Sequence, residues 1–170
     1  MKKILVTGGA GFIGSHLVNR LVKEKNHITV LDNLERGSVK FLKEIEHYDN
    51  LSFISCDLKD YNNIKKYFYN KDIVIHLASK VGGIGTYLSE PYNVMQSNIQ
   101  IDSNVLKCVL ENNITKYFYA SSAHVYPKEL QTTINSPNIK EVDAYPANPE
   151  LTYGWAKLIG EKAIEAATTE

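Results

Sequence analysis

Short apolar runs alternate with longer amphipathic stretches along the chain, and this alternation most constrains its fold. Runs rich in β-branched and aromatic residues predict buried strands at 4–6, 28–31, 51–54, 73–75 and 117–120. Amphipathic stretches predict helices at 12–25, 38–47, 61–69, 93–112 and 150–168. Because alternating strands and helices are typical of the α/β class, we expect a doubly wound parallel sheet with helices on both faces.

The length of 170 residues allows one substantial core and leaves little room for a second. We therefore expect a single domain, residues 1–170. The proline-rich segment 127–149 has no clear period and is expected to be a long, functional surface loop. A complete sheet of this type has about six strands, so we expect a chain truncated before a C-terminal substrate-binding portion.

Composition excludes several classes of protein. Nineteen basic and nineteen acidic side chains cancel, so overall charge does not favour nucleic acid, and anionic ligands must be held by local geometry. Cys56 and Cys108 are too few and too far apart for a disulfide framework or a metal site, and free thiols fit a reducing cytosol. The apolar run at 4–6 is too short for a signal peptide or a membrane span. We expect a cytoplasmic protein without a membrane partner.

A glycine-rich string, residues 7–14 (TGGAGFIG), follows the first predicted strand and opens the first helix. Gly8 permits a tight turn, Gly11 lets a pyrophosphate approach the backbone, and Gly14 allows the helix to pack closely on the strand. The helix N-terminus offers unpaired N–H groups and a positive dipole end to phosphates. The string therefore predicts a Rossmann-type dinucleotide site.

Acidic residues at two strand ends extend this predicted site. Asp32 lies eighteen residues past Gly14, the spacing expected of a carboxylate that accepts from ribose hydroxyls. It would repel a 2′-phosphate and so favours NAD over NADP, although Arg36 nearby keeps NADP as the alternative. Asp57 follows the third strand and either accepts from the adenine amino group or caps the next helix.

The fourth strand ends in residues 76–79 (HLAS), whose backbone is expected to line the middle of the cofactor. His76 itself is expected to be a partly buried histidine with its hydrogen bonds satisfied. The predicted cofactor-binding residues of these strand ends are Gly8, Gly11, Phe12, Ile13, Gly14, Asp32, Asn33, Asp57, Leu58, Leu77, Ala78 and Ser79.

Tyr153 and Lys157 are spaced to share one face of the last predicted helix. A fixed cation beside a phenol favours the phenolate, so the pair can remove a proton from a hydroxyl group. A chance pairing of this kind is common. Ser122 and His124 follow the fifth strand, at the rim where such folds bind ligands, and a serine there can bond the same reacting oxygen. Ordinary polar residues at a strand exit are the alternative.

Taken together, the glycine string, the strand-ending Asp32, HLAS, the Ser-Ser-Ala run and Tyr-x-x-x-Lys resemble the extended short-chain dehydrogenase/reductase superfamily. The resemblance is to its NAD-dependent epimerase/dehydratase group and runs through essentially the whole chain. It implies NAD as the cofactor, Tyr153 as the acid/base, and Lys157 as the group that lowers its pKa and holds the nicotinamide ribose. It also implies that Ser122 binds the reacting oxygen and that Asn98 lies at the cofactor.

A narrower resemblance concerns the substrate side. Residues 80–84 are similar to a substrate loop of the GDP-fucose synthase and GDP-mannose 3,5-epimerase families, which implies substrate contacts at Gly83 and Ile84. The stretch 117–157 is more similar to the second family. Both families have an acid/base cysteine at the position of His124, so His124 either keeps that role or contacts substrate. The 4,6-dehydratase branch has an Asp-Glu pair at 123–124, so dehydration is not expected.

This resemblance implies transient oxidation at C4 of a nucleotide-linked hexose, with a GDP-sugar favoured and 3,5- or 4-epimerisation as the outcome. A C4 dehydrogenase or reductase would use the same residues. The alternative from another class is a non-catalytic NAD-binding module, and the isolated 170 residues are expected to be inactive. Relatives pair through a four-helix bundle, which implies a homodimer built from helices 93–112 and 150–168, although core packing explains part of their apolar surface.

Overall fold

The computed structural model describes residues 1–133 and 138–169. The chain forms two compact units, and one of them contains residues 1–79 and 104–120. The other contains residues 80–103 and 121–170.

The first unit is built on a parallel sheet of five strands. They are β1 (Lys3–Thr7), β2 (His27–Asp32), β3 (Leu51–Ser55), β4 (Ile73–His76) and β5 (Lys116–Tyr119). The spatial order is β3-β2-β1-β4-β5, so the direction of strand addition reverses beside β1. The sheet predicted from sequence is confirmed, and each strand lies within one residue of its predicted bounds. In folds of this order the carboxyl ends of the strands at the reversal form the ligand-binding crevice.

Burial on both faces explains why the inner strands β1, β2 and β4 read as nearly continuous apolar runs. Alternate strand residues face one side and pack with α1 (Phe12–Lys23). This cluster contains Ile4, Val6, Val18, Val22, Ile28 and Val30. Leu5 and Leu31 point to the opposite face and are also fully buried. Apolar positions on both faces leave no polar alternation, which is the signature of a covered parallel sheet.

Two predicted helices of the first unit are shorter than the sequence suggests. The helix expected at 61–69 is α2 (Tyr61–Ile64), extended by a 3-10 turn at Lys65–Tyr67. The α-helix expected at 38–47 is wrong, since that segment contains only a 3-10 turn at Val39–Leu42 followed by turns. Leu42 and Ile45 are its buried apolar residues, and two side chains three positions apart need no longer helix to reach the core.

The second unit contains α3 (Ile84–Ser89) and α5 (Thr152–Ala167), and α4 (Pro91–Glu111) contributes residues to both units. The helices predicted at 93–112 and 150–168 are confirmed as α4 and α5. Helix α3 was not predicted from the sequence, because its six residues make fewer than two turns and are too few to show an apolar periodicity.

The predicted loop at 127–149 lies in the second unit. Its ends meet in an antiparallel bridge between Pro127 and Pro149, and Lys128 donates its N–H to the carbonyl of Asn148 at 3.0 Å. Between them lie 3-10 turns at Lys128–Gln131 and Glu141–Ala144, so the described part of this segment is turns and loop. Positions 134–137 of the predicted loop lie outside the described residues.

Both cysteines are buried free thiols. Burial and neighbouring carboxylates raise the pKa of Cys56 and of Cys108 to about 11. Within residues 1–133 and 138–169 there is no group of three or more His, Cys, Asp or Glu residues that could hold a metal ion. The same residues include no helix long and apolar enough to cross a membrane.

These raised pKa values predict that both thiols react slowly with a disulfide reagent such as DTNB. At pH 8 the thiolate is about 10⁻³ of each group, and thiolate is the nucleophile. We expect little absorbance change in the native protein. After unfolding in urea, the absorbance should rise by the amount that corresponds to two thiols per chain. Fast labelling of either cysteine in native protein at pH 8 would contradict the burial described here.

Candidate functional site

The glycine turn after β1 brings the chain closer to other backbone than any side chain would allow. Gly8 has φ +70°, a conformation that favours glycine. A Cβ on Gly8 would lie 2.7 Å from the backbone nitrogen of Ala78, and one on Gly14 would lie 2.2 Å from the carbonyl oxygen of Gly8. The tight turn predicted at Gly8 is therefore present. Gly14 is needed for close contact with this turn rather than with the strand itself.

The first turn of α1 has the properties of an anion-binding site. Gly11 caps the helix and, in the described part of the chain, no side chain accepts from its first N–H groups. Phe12 and Ile13 are 78% and 70% exposed, and the first turn carries no acidic residue. The first N–H groups of a helix have no partner within it, so they remain available to a ligand.

The Asp32 carboxylate fastens the glycine turn to the end of β2. Its Oδ2 accepts from the N–H of Ala10 at 3.0 Å, and its Oδ1 accepts from the N–H of Leu34 at 2.8 Å. The residue is only 8% exposed. Each carboxylate oxygen can accept a second hydrogen bond, so this arrangement is compatible with a ribose hydroxyl as a further donor. Asn33 accepts from the N–H of Glu35 at 3.0 Å and is exposed.

A second glycine approach at this turn was not found from sequence. A Cβ on Gly37 would lie 2.8 Å from the carbonyl oxygen of Ala10, and Ser38 donates its N–H to that same oxygen at 2.9 Å. The segment after β2 therefore packs directly on the glycine turn. A glycine five residues after the strand-ending Asp32 is the signal that could have indicated it.

The structure places Asp57 in a local turn beyond β3. Its Oδ1 accepts from the N–H of Lys59 at 2.9 Å, and its Oδ2 lies 3.5 Å from the Lys59 ammonium. Asp60 caps α2, because its side chain accepts from the N–H of Asn63. The capping alternative for Asp57 is therefore wrong, whereas an adenine contact stays a prediction. Leu58, beside it, is buried.

The end of β4 lies against the end of β1. His76 is 1% exposed and its Nδ1 lies 2.6 Å from Thr7 Oγ1, which also accepts from the N–H of Ala78 at 3.3 Å. Leu77 donates its N–H to the carbonyl of Thr7 at 3.1 Å. His76 is thus a buried, hydrogen-bonded histidine, as expected. The backbone of 77–78 is the surface that Gly8 approaches, and Ser79 follows it half-buried at the end of the unit.

In the second unit, three aromatic rings meet at the start of α5. Tyr153 is 7% exposed; its ring stacks on Tyr87 with centroids 5.4 Å apart and meets His124 edge-on at 5.7 Å. Tyr87 and His124 are 6.2 Å apart. The sequence analysis missed Tyr87 because it missed α3, the helix that carries it. Its nearest sequence signal is the Gly82-Gly83 pair, which precedes α3.

Gly154 brings α5 into direct contact with the 3-10 turn at Ala123–Val125. A Cβ on Gly154 would lie 2.0 Å from the carbonyl oxygen of His124. Ser122 caps this turn: its Oγ accepts from the N–H of His124 at 3.2 Å and lies 3.1 Å from His124 Nδ1. The predicted residues Ser122, His124 and Tyr153 are therefore brought together, and the small residue after Tyr153 is what permits it.

Lys157 lies one helical turn after Tyr153 and is 2% exposed. Its ammonium nitrogen is 3.7 Å from Oδ2 of Asp102, a residue of α4 that is also buried. Burial lowers the pKa of Lys157, while the charge and hydrogen bond of Asp102 act to raise it. The sequence analysis did not identify Asp102.

Asn98 is fully buried and holds the backbone at the start of the predicted substrate loop. Its amide donates to the carbonyls of Lys80 and Val94 at 3.0 and 2.8 Å, and its oxygen accepts from the N–H of Lys80 at 2.8 Å. A cofactor contact for Asn98 stays a prediction. Gly83 caps α3, and Ile84 is 64% exposed, which leaves that end of the loop accessible.

The chain is similar to known proteins over nearly all of its length. The model of the NAD dependent epimerase/dehydratase family matches residues 4–170. GDP-mannose 3,5-epimerase 1 of Oryza sativa subsp. indica is 34% identical over 174 residues, which cover 99% of this chain and 43% of that protein.

Solved structures of nucleotide-sugar epimerases are also similar to this chain. The UDP-N-acetylglucosamine 4-epimerase from Methanobrevibacter ruminantium M1, in complex with UDP-N-acetylmuramic acid, has a TM-score of 0.84 and 33% identity, covering 97% of this chain and 50% of that one. The UDP-glucose 4-epimerase of Thermus thermophilus, in complex with NAD, has a TM-score of 0.80 and 25% identity, covering 96% and 50%. The chain thus spans about half the length of these relatives.

The close approach at Gly154 predicts that Gly154→Ala destabilises the protein by about 1–3 kcal/mol, the usual cost of overpacking. Gly85→Ala is the matched control, because a Cβ there meets nothing within 4 Å and alanine favours a helix. Urea unfolding of both variants measures the difference. Equal stability of the two would mean that α5 does not need the glycine contact.

Proposed function

Because the chain belongs to the NAD dependent epimerase/dehydratase family, we propose that the protein is an NAD-dependent nucleotide-sugar epimerase acting by transient oxidation at C4 of a nucleotide-linked hexose. The observation that carries this proposal is that Tyr153 lies against His124, which contacts Ser122, while the buried Lys157 follows Tyr153 by one turn of α5. A protein that only binds a dinucleotide has no need of this arrangement.

The glycine turn would fit the pyrophosphate of NAD, since it leads into the start of α1, where no capping side chain accepts from the first N–H groups and the first turn carries no acidic residue. The free N–H groups at the start of α1 would hold the phosphates, and Asp32 would accept from the ribose hydroxyls. A buried carboxylate there disfavours the 2′-phosphate of NADP. When bound, NAD supplies a hydride acceptor that returns the hydride later in the cycle.

Tyr153 takes the proton of the C4 hydroxyl in this proposal. The Lys157 ammonium stabilises the phenolate, and a cation held in a water-poor position acts more strongly than one in solvent. Ser122 Oγ accepts from the backbone N–H of His124 and lies 3.1 Å from His124 Nδ1. When Nδ1 carries the proton and donates to the serine, the serine O–H would be left to donate to the reacting oxygen. The C4 ketone then either turns over and is reduced on its other face, or acidifies the neighbouring C–H bonds.

The role of His124 differs between 4-epimerisation and proton exchange beside the ketone. An imidazole can exchange a proton near neutral pH, and this one is exposed and lies edge-on to Tyr153. These features support an acid/base at C3 or C5, and they also support a substrate contact. Similarity to GDP-mannose 3,5-epimerases and the loop at 80–84 favour a GDP-sugar, with contacts at Gly83 and Ile84. A C4 dehydrogenase or reductase remains the second candidate because it uses the same residues.

We further propose a cytoplasmic homodimer that pairs through α4 and α5. Trp155 and Ile159, one turn apart on α5, are 38% and 41% exposed, and an apolar pair of this kind supports a covering partner. The two buried thiols fit a reducing compartment. Because the relatives are about twice as long, we propose that residues 1–170 form the cofactor and proton-transfer portion, with the substrate portion elsewhere in the protein.

Replacing the proposed acid/base tests this function. Tyr153→Phe removes the proton acceptor but keeps the ring that stacks on Tyr87, so turnover should fall by at least about 10²-fold while NAD affinity stays within about twofold. Product formation by NMR, which distinguishes epimers of equal mass, and NAD binding by calorimetry measure the two. Tyr145→Phe, at an exposed tyrosine, is the matched control. Full turnover in Tyr153→Phe would favour the non-catalytic binding module.

Turnover of the full-length protein in D2O distinguishes the routes. With NAD and GDP- or UDP-hexoses, epimerisation beside the ketone should place deuterium at C3 or C5, which mass spectrometry and NMR detect. His124→Asn should abolish that label if the imidazole exchanges the proton. An epimer without deuterium would show hydride transfer alone and assign His124 to substrate contact. A net C4 oxidation or reduction product would support the second candidate instead.

A further inference from the structure

We propose that Asp102 is a positioning residue of the proton-transfer site, whose carboxylate keeps the buried Lys157 ammonium charged and oriented. The inference deepens the proposed function and rests on it. Asp102 lies on α4 and Lys157 on α5, and both belong to the second unit.

The geometry of this pair is that of a buried ion pair. The Lys157 side chain is 3% exposed and that of Asp102 is 6% exposed, with 3.7 Å between Nζ and Oδ2. Lysine is almost never fully buried unless it is paired, because an ammonium removed from water loses its hydration. The carboxylate supplies the opposite charge that such a burial requires.

Burial and two neighbouring carboxylates affect the pKa of Lys157 to different extents. Burial is the largest influence and lowers the pKa of Lys157; Asp102 opposes it through its charge and its hydrogen bond. Glu161, one helical turn further along α5, raises the pKa of Lys157 less than Asp102 does. Glu161 also accepts a hydrogen bond from Ser121. The phenol of Tyr153 lies one turn before Lys157 on the same face. Asp102 is therefore the main counter-ion.

Asp102 also shares a helix face with Asn98, four residues earlier. Asn98 holds both backbone groups of Lys80, and Asp102 holds the side chain of Lys157. One face of α4 thus fixes the loop at the proposed substrate side and the cation at the proton-transfer side. These contacts account for two of the three buried polar residues of α4, and the third, Ser97, donates its hydroxyl to the side chain of Asn93.

Loss of the Asp102 carboxylate should change the alkaline limb of the pH profile of activity. Lys157 must keep its proton to stabilise the Tyr153 phenolate. Without the carboxylate, burial acts unopposed by Asp102, so the ammonium releases its proton at lower pH. Activity should therefore be lost at a lower pH on the alkaline limb. A carboxylate that only packed α4 against α5 would leave that limb in place.

The test uses the full-length protein with lysine labelled at 13Cε, and Lys157→Met identifies the resonance. In Asp102→Asn we expect the pKa of Lys157 to fall by at least about one unit, a tenfold change in its protonation equilibrium. The alkaline limb of kcat/KM should move in the same direction. Asp102→Glu, which keeps the charge, should restore most of both. Glu161→Gln is the matched loss of a neighbouring charge and should shift the pKa less.

A folded Asp102→Asn variant, checked by circular dichroism, whose Lys157 titration and alkaline limb match the wild type would overturn the inference. If Asp102→Asn does not fold, the wild-type protein decides. The 13Cγ resonance of Asp102 should then show an inflection at the pH where Lys157 titrates, and its absence overturns the inference. Full turnover in Tyr153→Phe would contradict the proposed function but not the ion pair between Asp102 and Lys157, since the lysine titration is measured independently of activity.

Discussion

Close backbone contact at glycine positions is the constraint on which both proposed sites depend. At the end of β1, Gly8 and Gly14 let the turn lie against the end of β4 and the start of α1, at separations no Cβ would permit. The same turn gives the Asp32 carboxylate a backbone donor in Ala10. The proposed phosphate site would therefore rely on backbone N–H groups that this packing positions.

A second glycine contact organises the other unit. Gly154 allows α5 to lie on the turn that carries Ser122 and His124, and this brings Tyr153 edge-on to the imidazole. The residue that makes the approach possible therefore lies next to the proposed acid/base in sequence. Such a contact also buries the following helical turn, so Lys157 needs an opposite charge within the protein, and Asp102 provides it.

Much of the fold could be predicted because its signals are local. Runs of β-branched and aromatic residues located all five strands to within one residue, and the inner strands β1, β2 and β4 are apolar at nearly every position because both of their faces are covered. The exposed helix α3 and the 3-10 turn at Val39–Leu42 were not predictable in this way. The six residues of α3 are too few to show a period, and the buried Leu42 and Ile45 gave the segment 38–47 a helical spacing that a 3-10 turn and the turns after it satisfy.

The sequence by itself determined the order of strands and helices, the glycine turn, and the Tyr153–Lys157 spacing, because each depends on residues within a few positions of one another. Only the tertiary structure decided which distant residues complete the sites. Tyr87 stacks on Tyr153 across 66 residues, and Asp102 pairs with Lys157 across 55. Neither partner carries a local signal, since an aromatic ring or a carboxylate on a helix acquires its role only when another element packs against it.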